Sequence, residues 1–159
     1  MKEILDILER DGRATAEKIS AMTGTPRESI QETIKHAEEE KIILKYKAVI
    51  NWEKVGKEEV WALIEVRVKP QEDVGFDAIA QRISRFPSTH SVYLISGTYD
   101  LLVVVKGKSM QDVSSFVARK LSLLPSVLRT TTHFMLKRYK DDGEILDGGE
   151  EEKRLPLSL

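Results

Sequence analysis

The sequence predicts an α+β chain: three short helices and an extended segment, followed by a sheet built in the order βαββαβ. Three observations carry this. Apolar residues recur at helical spacing as far as Ala37, and from Val60 the period changes to two. Ser91-Val-Tyr-Leu-Ile-Ser-Gly97-Thr-Tyr-Asp100-Leu-Leu-Val-Val-Val105 reads as two apolar strands joined by a turn, with Gly97 expected at the positive φ that reverses the chain. Leu101–Val105 is apolar at every position, whereas an antiparallel strand with one wet face alternates. Both faces of that strand must then be covered. Helices of the same chain can cover one, and a second copy of the sheet is the economical cover for the other, which predicts a dimer.

Composition bounds the rest. A chain of 159 residues holds one ordinary domain or two small ones. Its 41% hydrophobic and 32% charged residues are those of a soluble globular protein rather than a disordered one. No apolar run approaches the roughly 18 residues of a membrane span, and Met1-Lys-Glu-Ile enters an amphipathic pattern directly, without a signal-peptide core. The absence of cysteine excludes a disulfide framework and thiolate metal sites, which fits a cytoplasmic protein. The formal net charge of −1 is unevenly distributed: residues 1–55 carry −1, residues 56–140 carry +5, and residues 141–159 carry −5.

Lys2–Asp11 places Ile4, Leu5, Ile7 and Leu8 on one helical side, with Gly12 expected as a left-handed C-terminal cap. A second helix is expected from about Thr15, with Ile19 and Met22 inward, and Thr23-Gly24 closes it in a tight turn. Thr25-Pro26-Arg27-Glu28 reads as a helix start: Thr25 as N-cap, Pro26 in the first turn, Glu28 completing a capping box. That helix runs to about Glu40 and buries Ile30, Ile34 and Ala37. Ile42–Ile50 reads as extended and Asn51–Gly56 as a hinge. Three short helices followed by a strand are the layout of a winged helix-turn-helix, whose third helix enters a DNA groove.

In the second half Val60, Ala62, Ile64, Val66 and Val68 alternate with Trp61, Leu63, Glu65 and Arg67, and Pro70 stops the strand. Asp73–Phe86 reads as a helix with Phe76, Ile79, Ala80 and Ile83 inward, ended by Pro87. The hairpin follows. Ser109–Leu124 reads as a second helix with Met110, Val113, Phe116, Val117, Leu121 and Leu124 at helical spacing, and Val127–Tyr139 as a last strand. The order is that of a ferredoxin-like sheet with helices on one face. The expected divisions are a winged helix-turn-helix over 1–50, a hinge over 51–58, the βαββαβ domain over 59–140, and an acidic tail over 141–159.

Gly97-Thr-Tyr-Asp100 with its aliphatic strand, then Leu124-Pro-Ser-Val127 and a Thr-rich strand ending in Lys, resembles the effector-sensing (RAM) half of the Lrp/AsnC transcriptional regulators. The first half is similar to that family too, through Ile4-Leu-Asp-Ile-Leu-Glu-Arg-Asp-Gly12-Arg, Glu38-Glu-Glu-Lys-Ile-Ile43 and Tyr46-Lys-Ala-Val-Ile-Asn51. The resemblance covers about Met1 to Lys140. It implies a feast-or-famine regulator that binds double-stranded DNA and forms a homodimer and higher oligomer, tetramer or octamer. It also implies a small effector, commonly an amino acid, held between dimers at the loop Gly97, Thr98, Tyr99 and Asp100; no other cofactor is expected. Turn amides can receive a carboxylate and Asp100 an ammonium group. The alternative for Asp100 is that it only caps a hairpin turn.

The chain departs from the family where members place several arginines, having Glu32, Thr33, Lys35 and His36 instead. Arg27, Gln31 and Lys35 fall at i, i+4 and i+8, one stripe that can face a groove. Gln31 can pair with adenine, and Arg27 and Lys35 with guanine or phosphate. Glu32 either accepts from a cytosine amino group or belongs to a solvated face, and carboxylates near phosphate subtract from affinity. The candidate DNA-facing set is therefore Thr25, Arg27, Gln31, Glu32, Lys35 and His36. Enzymatic readings find little support: His36, His90 and His133 are far apart, with no partner at metal-ligand spacing, and there is no nucleophile elbow, phosphate-cradling loop or paired-carboxylate signature, although the fold alone excludes nothing. Two functions remain: a DNA-binding, amino-acid-responsive transcription factor, or a sensing and assembly module that acts with a more basic paralogue.

Overall fold

Apolar side chains about one turn apart build the first of the two units into which the chain divides, Met1–Ile50. In the computed structural model, which describes residues 1–69 and 75–146, helix α1 (Lys2–Arg10) buries Ile4 and Leu8, α2 (Ala16–Thr23) buries Ile19, and α3 (Arg27–Glu39) buries Ile30 and Ala37. Ile4, Leu8, Ile19 and Ile30 form one core, with Ile7, Ala14, Ala16, Ile34 and Ile43 against it. Thr15 Oγ1 accepts the Lys18 N–H at 3.2 Å and starts α2. Gly24, at φ 71°, ends it and turns the chain toward α3, its N–H donating to Ser20 C=O at 2.8 Å.

Four local expectations fail here. Gly12 is not left-handed: α1 ends at Asp11 (φ −137°), whose carboxylate accepts the Arg13 N–H at 3.0 Å and the Lys18 ammonium at 2.6 Å. Met22 is 60% exposed, because the inward place on the last turn goes to Thr23, whose hydroxyl donates to Ile19 C=O at 2.9 Å. The capping box does not form. Pro26 is the N-cap and no side chain caps it, so α3 starts one residue late and Glu28 falls outside the position a box requires. Thr25 instead closes the turn, its N–H on Thr23 Oγ1 and its C=O receiving Ser20 Oγ. Finally, residues 44–50 belong to no strand, so the strand expected after α3 does not form.

The second unit begins at Asn51. Strands β1 (Val60–Val68), β2 (Thr89–Leu94), β3 (Leu101–Gly107) and β4 (Val127–Phe134) make an antiparallel sheet in the order β2-β3-β1-β4, with α4 (Asp77–Ser84) and α5 (Met110–Phe116) between them. This is the ferredoxin-like order that the sequence predicts. Pro70 and the expected helix start at Asp73 lie outside the described residues. Period-two alternation sets the faces: Ala62, Ile64 and Val66 pair with Val105, Val103 and Leu101, and all six are buried. Val68, Ile79, Ile83, Val113, Phe116, Leu121 and Leu124 complete that core. The opposite face carries Trp61, Leu63, Leu102 and Val104 half-buried and Tyr93 exposed.

Helix α5 is shorter than its pattern predicts. After Phe116 the chain makes a π turn over Val117–Leu121, closed by the Ser122 N–H on Val117 C=O at 2.9 Å, and Met110 at its start is exposed. β4 stops at Phe134, not Tyr139. Beyond it the first residues of the acidic stretch form a small hairpin, β5 (Lys140–Asp141) and β6 (Glu144–Ile145), anchored by Arg138–Asp141 at 2.9 Å and by Asn51 Nδ2 on Leu146 C=O at 2.7 Å.

Candidate nucleic-acid and effector interfaces

Because α3 buries only Ile30 and Ala37, its other faces are free to meet a partner. Arg27, Gln31, Glu32, Lys35 and His36 are all exposed, and Thr25 is half-buried in the turn before them. The helix brings Arg27, Gln31 and Lys35 onto one stripe, as their spacing demands. Its cations are not free, however. Arg27 Nε meets Glu17 Oε1 of α2 at 3.0 Å, and Lys35 Nζ lies 3.8 Å from Glu39 Oε1 one turn on. Glu17 is held below the usual carboxylate range by its own backbone amide, by Thr15 and by Arg27. Glu28, without a cap to make, adds a second solvent-facing carboxylate beside Glu32. Sequence reading placed the stripe but not the pairing of Arg27, because Glu17 lies on another helix.

The loop Gly97, Thr98, Tyr99 and Asp100 joins β2 to β3, with Gly97 and Thr98 exposed and Tyr99 and Asp100 half-buried. Gly97 is not at positive φ, and a Cβ there would meet only Ile95 Cγ2 at 3.9 Å, so the turn itself does not demand glycine. Asp100 is committed to the scaffold. Its Oδ2 accepts the Val68 N–H at 2.8 Å, its own N–H donates to Val66 C=O at 3.1 Å, and its C=O accepts the Ile95 N–H at 2.8 Å. The carboxylate thus finishes the edge of β1 where the β1–β4 register slips at Arg67/Val68. One oxygen is used this way, and the backbone bonds fix where the other can point.

A second polar cluster escaped the sequence reading. Glu59, its side chain 8% exposed, accepts from Lys106 at 2.7 Å and Lys57 at 2.8 Å. Burial pushes its carboxyl up, but the two lysines outweigh that and hold it below the usual range. Next to it, Trp61 stacks edge-on to His90 at 4.7 Å and carries the Arg138 guanidinium 4.8 Å from its ring centroid. A cavity of about 390 Å³ opens beside Glu59, Trp61 and Arg138. No signal within any one segment points to it, since its walls come from residues 52–61, 108 and 135–138. His133, on the helix-free face, faces Glu65 Oε1 at 3.2 Å, as a structural histidine does. Among the described residues no cluster of three potential metal ligands occurs, and no helix is long and apolar enough to cross a membrane.

The Lrp/AsnC ligand binding domain, as a family model, matches residues 61–145. The uncharacterized HTH-type transcriptional regulator YugG of Bacillus subtilis is 50% identical over 157 residues, 98% of this chain and 95% of that protein. The HTH-type transcriptional regulator FL11 of Pyrococcus horikoshii is 31% identical over 144 residues, 91% of this chain and 92% of that one. Among solved structures, a transcriptional regulator of Neisseria meningitidis in complex with L-methionine superposes with a TM-score of 0.68 at 24% identity, covering 87% of this chain and 89% of that one.

Proposed function

The chain belongs to the Lrp/AsnC family of transcriptional regulators, and on that footing we propose that it reads duplex DNA through α3 and responds to an amino acid bound at the Gly97–Asp100 loop between dimers. The observation that carries the reading is the exposed stripe Arg27, Gln31 and Lys35 on a third helix set off by the Gly24 turn. The family is one of regulators, not enzymes. The amino acid is supported by the L-methionine held by the similar Neisseria regulator. Supporting the place is a loop with Gly97 and Thr98 exposed, whose glycine the turn itself does not demand.

Assembly follows from the sheet. Trp61, Leu63, Tyr93, Leu102 and Val104 give the helix-free face an apolar surface. A second copy packed there makes an obligate homodimer, with upwards of roughly 2,000 Å² buried. Further association gives a tetramer or octamer in the cytoplasm. Several copies on one symmetric scaffold supply the DNA affinity that a helix with neutralised cations lacks. A thermal-melting screen of the full chain against the amino acids, L-methionine first, tests the effector. Sedimentation at low micromolar concentration tests the dimer: a folded monomer there refutes it.

A second reading is favoured by one observation, the pairing of Arg27 with Glu17 and of Lys35 with Glu39. On it the chain senses and assembles but binds DNA only in mixed oligomers with a more basic paralogue. Retardation of duplex by the homo-oligomer at low salt excludes that reading, and its absence there supports it.

A further inference from the structure

The cations that the first unit neutralises have counterparts in the second that stand clear of carboxylates. A concavity of about 620 Å³ lies between the head of β2, the end of β3 and the outer side of α5 with its π turn. Lys106, Lys108, Arg119 and Lys120 line it, against one carboxylate, Asp112. Lys106 is shared with Glu59, but Lys108, Arg119 and Lys120 form no ion pair among the described residues.

Two features of the chain build this grouping. The first is the π turn. Continued α-helical spacing from Phe116 would send Lys120, four residues on, to the core side. The extra residue in the turn lets Leu121 take the buried place, and Arg119 and Lys120 both emerge; such turns occur frequently at functional sites. The second is Gly107, where a Cβ would stand 2.9 Å from Val113 Cγ2 and 3.3 Å from Ser109 C=O. Only glycine lets the end of β3 close on α5, with Lys106 and Lys108 on either side of it in the chain.

We infer that this concavity is a second seat for duplex DNA that takes the sugar–phosphate backbone without regard to sequence; it rests on the reading of the chain as a DNA-binding regulator. The mouth is open, and its cations sit at the tips of long exposed side chains on separate elements. That suits a continuous polyanion better than a small anion, which needs an enclosing set of donors. It also draws on the half of the chain that carries the basic surplus, +5 over residues 56–140, of which Lys106, Lys108, Arg119 and Lys120 line the concavity.

The test uses the full chain with Lys108→Gln, Arg119→Gln and Lys120→Gln together. Binding is measured by fluorescence anisotropy from 50 to 200 mM salt, on a duplex enriched from a random pool by the wild-type protein and on its scrambled version. If all three cations meet phosphates, the slope of log affinity against log salt falls by about 2.7 per engaged chain, at about 0.9 per contact. Affinity then drops by a similar factor on both duplexes, so the preference between them is kept. Arg119→Gln alone lowers the slope by about 0.9 and decides the matter if the triple variant melts early. An unchanged slope while the wild type binds overturns the inference and leaves the regulator reading standing. Failure of the wild type to bind any duplex overturns both. Loss of inorganic pyrophosphate binding in the triple variant, with the DNA slope unchanged, makes the concavity a small-anion site and also overturns it.

Discussion

The two units differ in the size of their cores, and helix α3 of the first and the concavity of the second use their charges in opposite ways. In the first, four buried aliphatic residues hold three helices, and the surface cations Lys18, Arg27 and Lys35 each lie against a carboxylate. In the second, thirteen buried residues fill the space between sheet and helices, the buried Glu59 gathers two lysines, and other cations stay exposed. A reading head of this kind is light, weakly cored and electrostatically restrained. On the proposed reading, selectivity resides there, while stability and non-specific attraction for DNA fall to the second unit.

The largest test of that contrast is in the cores. Ile30→Ala and Ile64→Ala each remove a fully buried side chain and should each cost about 2–5 kcal/mol. A loss of that size should unfold the small helical unit at ambient temperature while the sheet persists, whereas Ile64→Ala should lower the main calorimetric transition of a unit that still folds. Near-UV and far-UV circular dichroism followed through melting separate the two.

Asp100 comes next in size. Asp100→Ala removes a charge-assisted hydrogen bond worth about 1.5–3 kcal/mol, and an effector that also uses this carboxylate should lose roughly ten- to a hundredfold in affinity. Asp100→Asn keeps an acceptor for the Val68 N–H but not the charge. It should hold the melting temperature and still weaken an amino acid by calorimetry. Unchanged affinity in Asp100→Asn makes the residue a strut only.

How far these roles could be read in advance depended on the range of the interactions. Strand parity from Val60 to Val68 was legible because it is a local steric rule, and it fixed which face of β1 is buried. The role of Asp100 was not, since its partner is the amide of Val68, 32 residues away. The π turn hid behind a pattern, Val113, Phe116, Val117, Leu121 and Leu124, that reads as helical because Leu121 also falls four residues after the half-buried Val117. The capping box at Thr25 failed by one residue, within the reach of competing hydroxyls at Ser20 and Thr23. The concavity at Lys106–Lys120 drew on segments that only tertiary packing brings together.

Smaller effects sharpen the electrostatic half of the comparison. Glu59 is held below the usual carboxylate range, so its contribution is present above the ordinary glutamate value and is lost as pH falls through its depressed folded value. The second unit should therefore weaken in acid below that ordinary value, and Glu59→Gln should flatten this limb of the stability curve. Asp11 is also lowered, first by its hydrogen bond to Lys18, but it is exposed. High salt should erase its effect while sparing that of Glu59. Smallest of all, Glu17→Gln should barely move the melting temperature, yet by freeing Arg27 it should tighten duplex binding severalfold in a gel shift.

Recognition by α3 is tested most directly with Gln31→Ala, on the duplex that the wild-type chain enriches from a random pool. Anisotropy across a salt series should show the wild type favouring that duplex over its scrambled form. The variant should lose about 1–3 kcal/mol of that preference at one position in each half-site, with its salt slope unchanged. A variant that keeps the full preference contradicts groove reading by this helix, as does a wild-type chain that binds no duplex at low salt.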